Sequence, residues 1–224
     1  MKYKDNFKES CKNLGTVFSR ISLSKTLSKG FFLSKRCFLL CLLIMFFLPL
    51  SCNQGTISGD MSTEELEVLA ELNFARMQPS EYVKKRLETM NGTSSARTEL
   101  INELKVMSPL PALKPGAGLT KAAREWVVKQ GATSATGHGS GSDSMGNRIA
   151  RYGNCSGAGE NIAYGSKGAL AIIRALLIDE NVSGRGHRKN ILSKNYTHVG
   201  IAIGSHKGYG TMCVQDFATN YSDK

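Results

Sequence analysis

Residues 198–218, HVGIAIGSHKGYGTMCVQDFA, place the strongest constraint on how this chain folds. Val199, Ile201 and Ile203 alternate with small or polar residues, Gly208 falls where a turn is needed, and Val214 and Phe217 lie on the return. Period-two alternation around a glycine turn predicts a β-hairpin. ENIAY, beginning at Glu160, also has strand character.

Helical patterns surround these strands. In MSTEELEVLAELNFARM, Ser62 and Glu65 have the spacing of a capping box, and Leu66, Leu69, Leu72 and Phe74 recur at helical spacing. Pro79 interrupts, Ser80 restarts, and EYVKKRLETM runs to a turn at Asn91-Gly92. SPLPALKPGAG (108–118) is a loop by its prolines and glycines. Thr120 leads a helix with Ala123, Trp126 and Val127 on its apolar face. After a Gly/Ser-rich stretch at 131–146, NRIARYG predicts a short helix closed by Gly153 as a C-cap. KGALAIIRALLI is a helix too apolar for the surface. No internal repeat is present. About 165 residues suffice for one α+β domain with a single core.

The first 52 residues read as a leader rather than as part of that domain. CFLLCLLIMFFLPL (37–50) is uncharged and follows Lys35 and Arg36. It is shorter than the roughly 20 residues a bilayer-spanning helix needs, and its length and basic flank match a secretory signal. Ser51-Cys52 resembles the end of a bacterial lipobox, which makes Cys52 a lipidation candidate; an uncleaved signal anchor is the alternative. Residues 53–61 then form a linker and 62–221 the domain. Either leader delivers the domain to an extracytoplasmic location, secreted or held at the membrane of the cell envelope.

This division changes the charge argument. Of the formal net +11, residues 1–51 contribute nine basic and two acidic side chains, so the remainder carries only +4. That balance lacks the concentrated basic footprint of nucleic-acid binding. GHGSGSDSMG has no phosphate-loop lysine and does not follow a strand, so nucleotide binding is discounted. Beyond the leader only Cys155 and Cys213 remain, an even pair open to a disulfide in an oxidising compartment or to two buried thiols. Neither a C-x-x-C pair nor an H-E-x-x-H motif occurs.

Four polar residues stand out against this background. His138 sits in a polar loop, open to solvent or to a site. Glu160 begins a strand and is expected to lose water, so it needs donors; a glycine turn or a functional partner can supply them. Asp179 ends the apolar helix, where the helix dipole disfavours an anion, so either another group holds it or it marks the exit to solvent. His187 in RGHRKNIL can cap a short helix or line a site. His198 and His206 read as surface or edge residues.

The succession of His138, RIARYG, GENIAYG, an amphipathic helix, GHRKNIL, HVGIAIG and VQDFA resembles the CAP superfamily, or SCP domain, of cysteine-rich secretory, antigen 5 and pathogenesis-related proteins. It is similar to the bacterial branch, in which GHR-x-NIL stands where eukaryotic members have His-Tyr-Thr-Gln. The resemblance spans about residues 64–219, including LNFARMQP. It implies a three-layer α-β-α sandwich with a cleft lined by two histidines and two acids. His138 and His187 match the histidines and Glu160 the acid of the GEN motif. Leu176 occupies the position of the family's tryptophan, which puts Asp179 in the second acid's place, and ENVSGR stands as an insertion before His187. The resemblance also implies a choice of roles for this tetrad. His138 and His187 can bind zinc or another divalent cation, or the four groups can serve acid–base hydrolysis. The fold is also used to bind sterols, lipids or proteins, and a structural role in the cell envelope is a further alternative. No serine is tied to either histidine by spacing, so an enzyme is not established.

Overall fold

The structure is a computed structural model, and it describes residues 61–224. The expected leader, Cys52 and residues 53–60 of the linker lie outside the described residues. Among those described, no helix is long and apolar enough to cross a membrane.

Helix α1 (Thr63–Met77) opens as its capping box requires: the Glu65 amide donates to Ser62 Oγ at 3.3 Å and the Ser62 amide to Glu65 Oε2 at 2.7 Å. Glu65 also reaches the sheet, because the Ile203 amide donates to its other oxygen at 2.9 Å. Pro79 occupies the first turn of α2 (Pro79–Tyr82), where its missing N–H costs nothing, and the chain continues as a π-helical turn over Val83–Leu87. Helix α3 (Ser95–Val106) is absent from the expectations above. Its signals were a Ser94 N-cap and Ala96, Leu100 and Leu104 at four-residue spacing, all three fully buried.

The sheet is ordered β1-β4-β5-β3. Strands β4 (His198–His206) and β5 (Gly210–Thr219) form the expected hairpin, β3 (Gly157–Tyr164) pairs antiparallel with β5 at one edge, and the short β1 (Lys114–Pro115) runs parallel to β4 at the other. Helix α4 (Ala117–Gly131) begins before Thr120, whose hydroxyl instead donates back to the Gly116 carbonyl. Helix α5 (Met145–Tyr152) ends at Gly153, but with φ −166°, so the chain passes straight into β2 (Gly153–Asn154) rather than through a left-handed cap. β2 pairs with β6 (Ser222–Asp223) in a separate two-stranded sheet. The apolar helix is α6 (Ala169–Ile178), followed by a 3₁₀ turn (Ser183–Arg185) and α7 (Gly186–Ile191).

Alternation along the hairpin sorts the side chains into two cores. Val199, Ile201, Cys213 and Phe217 pack with residues of α1, α2, α3, α6 and α7, whereas Ala202, Met212, Val214 and Ala218 pack with α4 and α5. Helices therefore cover both faces of one sheet, giving the three-layer α-β-α sandwich of an α+β fold. The same alternation decides between the two readings left open for the cysteines. Cys213 lies in the first core and Cys155 packs beside Leu119 and Ile149 on the opposite face, so the two are free thiols and not a disulfide.

Candidate functional site

The site is built around the edge strand β3, and each of its two halves is a histidine held by a buried carboxylate. Glu160 Oε1 accepts from His138 Nδ1 at 2.8 Å, and Asp179 Oδ1 accepts from His187 Nδ1 at 2.7 Å. Both carboxylate side chains are only 1 % exposed, while the rings are 54 % (His138) and 25 % (His187) exposed. A carboxylate can only accept, so in the neutral ring the proton sits on Nδ1 and the Nε2 lone pair is left outward. Among the described residues neither Nε2 has a protein hydrogen-bond partner.

The loop bearing His138 is fixed by its neighbours. Gly137 and Gly139 take φ of +108° and +75°, conformations that glycine adopts freely. The Gly137 carbonyl accepts from Trp126 Nε1 at 3.0 Å and Gln130 Nε2 at 2.8 Å, and its amide donates to the Tyr164 hydroxyl at 2.9 Å. Arg148 on α5 completes the clamp. Its fully buried guanidinium lies over the Trp126 ring at 4.6 Å, donates to the His138 carbonyl at 3.1 Å, and also donates to the Asp143 carbonyl and to Glu160 Oε2. Glu160 thus finds its donors in a side-chain cation and an imidazole rather than in a glycine turn.

The second half solves the problem of an anion at a helix C-terminus. Asp179 caps α6 with φ +54°, and its Oδ2 turns to the start of α7, accepting the His187 amide at 2.9 Å and the Arg188 amide at 3.4 Å. The carboxylate therefore faces the positive end of the next helix as well as the imidazole. His187 is consequently not the cap of α7: Arg185 is its N-cap residue, and the Asp179 carboxylate accepts the first amides. Arg185, also left-handed at φ +52°, donates to the Asp179 carbonyl at 2.7 Å, which ties the end of the ENVSGR insertion back to Asp179.

Consecutive residues of β3 tie the halves together. Glu160 holds His138, while the Asn161 side chain donates to the His187 carbonyl at 3.1 Å. Asn190 on α7 donates to the Glu160 carbonyl at 3.3 Å and to Asn161 Oδ1 at 2.9 Å. Gly159 leaves room for this approach, because a side chain there would collide with Tyr196 and Asn190. All four expected residues are therefore anchored at one place on the sheet edge. Arg148, Asn161, Asn190 and Asp216 were not anticipated as part of it. Asp216 lies on β5 directly opposite Glu160, fully buried, and the signal was a charged residue in register with Val214 and Ala218 of the core.

The remaining histidines play other parts. His206 is buried, not a surface residue: Nε2 donates to the Ala135 carbonyl at 2.9 Å, and Nδ1 accepts the Gly208 and Tyr209 amides, which orders the hairpin turn. His198 pairs with the Thr197 hydroxyl. Among the described residues, no three His, Cys, Asp or Glu side chains converge as metal ligands. Within the two dyads, the ring nitrogens left without a protein partner are His138 Nε2 and His187 Nε2. Each is backed by a carboxylate on the other ring nitrogen, the arrangement that typically orients metal-binding histidines.

Residues 98–217 match the model of the cysteine-rich secretory protein family, CAP. An uncharacterized protein, YkwD, of Bacillus subtilis (strain 168) is 48 % identical over 44 residues, which is 20 % of this chain; the match spans only 15 % of that relative's length. Among solved structures, the chain is similar to an extracellular protein containing an SCP domain from Bacillus anthracis str. Ames, at 20 % identity and TM-score 0.42 over 58 % of this chain and 45 % of that one. It is also similar to an outer surface protein of Borrelia burgdorferi, at 19 % identity and TM-score 0.42 over 54 % of this chain and 84 % of that one. A third is venom allergen-like protein 4 of Schistosoma mansoni, at 13 % identity and TM-score 0.46 over 71 % and 90 %. The match of the family model over more than half of its length means that the chain belongs to the cysteine-rich secretory protein (CAP) family.

Proposed function

We propose that this chain is an extracytoplasmic CAP-domain binding protein of the bacterial type, anchored to a membrane through Cys52, whose working site is the pair of outward Nε2 atoms of His138 and His187. The observation that carries this reading is that each imidazole is pinned through Nδ1 by a buried carboxylate, which leaves two oriented nitrogen donors. Those donors suit zinc or a similar divalent cation, with water or ligand oxygens completing its coordination. A bound cation would supply a Lewis-acidic anchor for an oxygen-bearing group of a lipid, sterol or protein ligand. Glu160 and Asp179 would orient the rings rather than ligate, since their oxygens are already committed to His138, Arg148, His187 and the start of α7.

Binding is favoured over side-chain nucleophilic hydrolysis because, among the described residues, no serine, threonine or cysteine is hydrogen-bonded to His138 or His187. An activated nucleophile needs that contact or a metal-bound water. The direct experiment is calorimetric zinc titration of the full chain and of its His138→Ala/His187→Ala variant. Saturable uptake lost in the variant supports the site, and equal uptake by both removes it. Peptide hydrolysis abolished by the same substitutions would make the site catalytic instead.

A further inference from the structure

We infer that Asp216 is a neutral carboxylic acid in the folded protein at neutral pH, and that it positions Glu160 by donating its proton to that carboxylate. The inference stands on charge and register. Asp216 and Glu160 are directly paired across β5 and β3, and Asp216 has no exposed surface. Neither of its oxygens has a hydrogen-bond donor among the described residues.

The charged groups around it are few. From β3 comes Glu160; from α5 comes Arg148, whose Nη2 is committed to Glu160, whose Nη1 serves the carbonyls of His138 and Asp143, and whose buried Nε has no partner among the described residues. β4 contributes Gly200 opposite Asp216, and there Leu119 and Thr120 of α4 pack against the backbone. His138 is reached only through Glu160. One guanidinium therefore faces two buried carboxyl groups. Arg148 and Glu160 neutralise each other, and an ionised Asp216 would add an uncompensated charge at a position with no exposed surface. Two carboxyls sharing one such site do not both ionise. Burial first, and then the neighbouring Glu160 charge, push the Asp216 carboxyl well above the usual carboxylate range, with Arg148 acting in the opposite sense.

Protonated, Asp216 has the O–H that Glu160 can accept, and Glu160 remains the fixed acceptor under the His138 ring. Asp216 is thus a positioning residue acting through Glu160. Only this consequence at His138 rests on the proposed binding site; the protonation itself does not.

Infrared spectroscopy of the full chain at pH 7 tests it. The wild type is expected to show the carbonyl stretch of a buried protonated carboxyl, shifted by deuteration and lost in Asp216→Asn. Absence of that band in the wild type, or its survival in D216N with loss in Glu160→Gln, overturns the assignment. If D216N does not fold, carboxyl-carbon NMR of ¹³C-aspartate-labelled wild type decides. An Asp216 signal at the protonated position at pH 7 supports the inference, and one at the ionised position overturns it. A band present in a protein that takes up no zinc removes the binding site alone, whereas zinc uptake without the band removes this inference alone.

Discussion

Asp179 accepts from His187 twice, from the backbone amide at 2.9 Å and from Nδ1 at 2.7 Å, so one carboxylate sets both the start of a helix and the orientation of a ring. The position also requires a left-handed backbone, φ +54°, which asparagine and aspartate tolerate better than other residues with a side chain. The chemistry of the site and the turn between α6 and α7 therefore depend on the same side chain.

This double duty separates two substitutions. Asp179→Asn keeps the backbone preference and one acceptor oxygen but removes the charge, and it is expected to cost about 1 kcal/mol. Asp179→Ala leaves the buried donors unmet in an unfavourable conformation and is expected to cost about 3 kcal/mol. Denaturant unfolding of the two variants checks the order.

Arg148 and Glu160 form a buried ion pair, each side chain 1 % exposed. Replacing Arg148 with methionine preserves bulk against Trp126 but strands the carboxylate. A loss of about 3–5 kcal/mol is expected at neutral pH. The combined Arg148→Met/Glu160→Gln protein should recover part of it, measured by a double-mutant cycle.

Asp216 makes a prediction about pH. Its carboxyl is raised in the fold, so the native state holds a proton that the unfolded chain releases above the ordinary aspartate range. The unfolded state then binds fewer protons, and stability falls as pH rises through the window between the unfolded and folded values. Asp216→Asn removes this contribution. Its stability relative to wild type should increase across that window, as read from unfolding midpoints at several pH values; a constant difference would contradict the assignment.

The two thiols should differ in reactivity. Cys213 is buried, and burial pushes its thiol up, away from the reactive thiolate, whereas Cys155 is only partly buried. Thiol-labelling followed by peptide mapping should modify Cys155 in the native protein and Cys213 only after unfolding. Recovery of a Cys155–Cys213 disulfide peptide would contradict the placement of the two on opposite faces.

How much of this was legible in the sequence follows from which interactions are local. The Ser62–Glu65 capping box and the hairpin centred on Gly208 depend on residues close in the chain, and their spacing revealed them. His138, Glu160, Asp179 and His187 were found by their order along a family-like succession. Their pairing was not, because Glu160 meets His138 across 22 residues and takes its cation from a helix that read only as a short one closed by Gly153. Asp216 looked like an ordinary strand residue until β3 was placed beside β5. The helix 95–106 was overlooked although Ala96, Leu100 and Leu104 recur every four residues, because Arg97, Glu99, Glu103 and Lys105 are interleaved with them.

The orientation of the two imidazoles can be read directly by long-range ¹H–¹⁵N NMR of the full chain at a pH where both rings are neutral. His138 and His187 should both carry the proton on Nδ1, with Nε2 showing the chemical shift of an unprotonated nitrogen. Protonation on Nε2 in either ring would mean that its carboxylate does not hold it, and the paired outward donors would not exist.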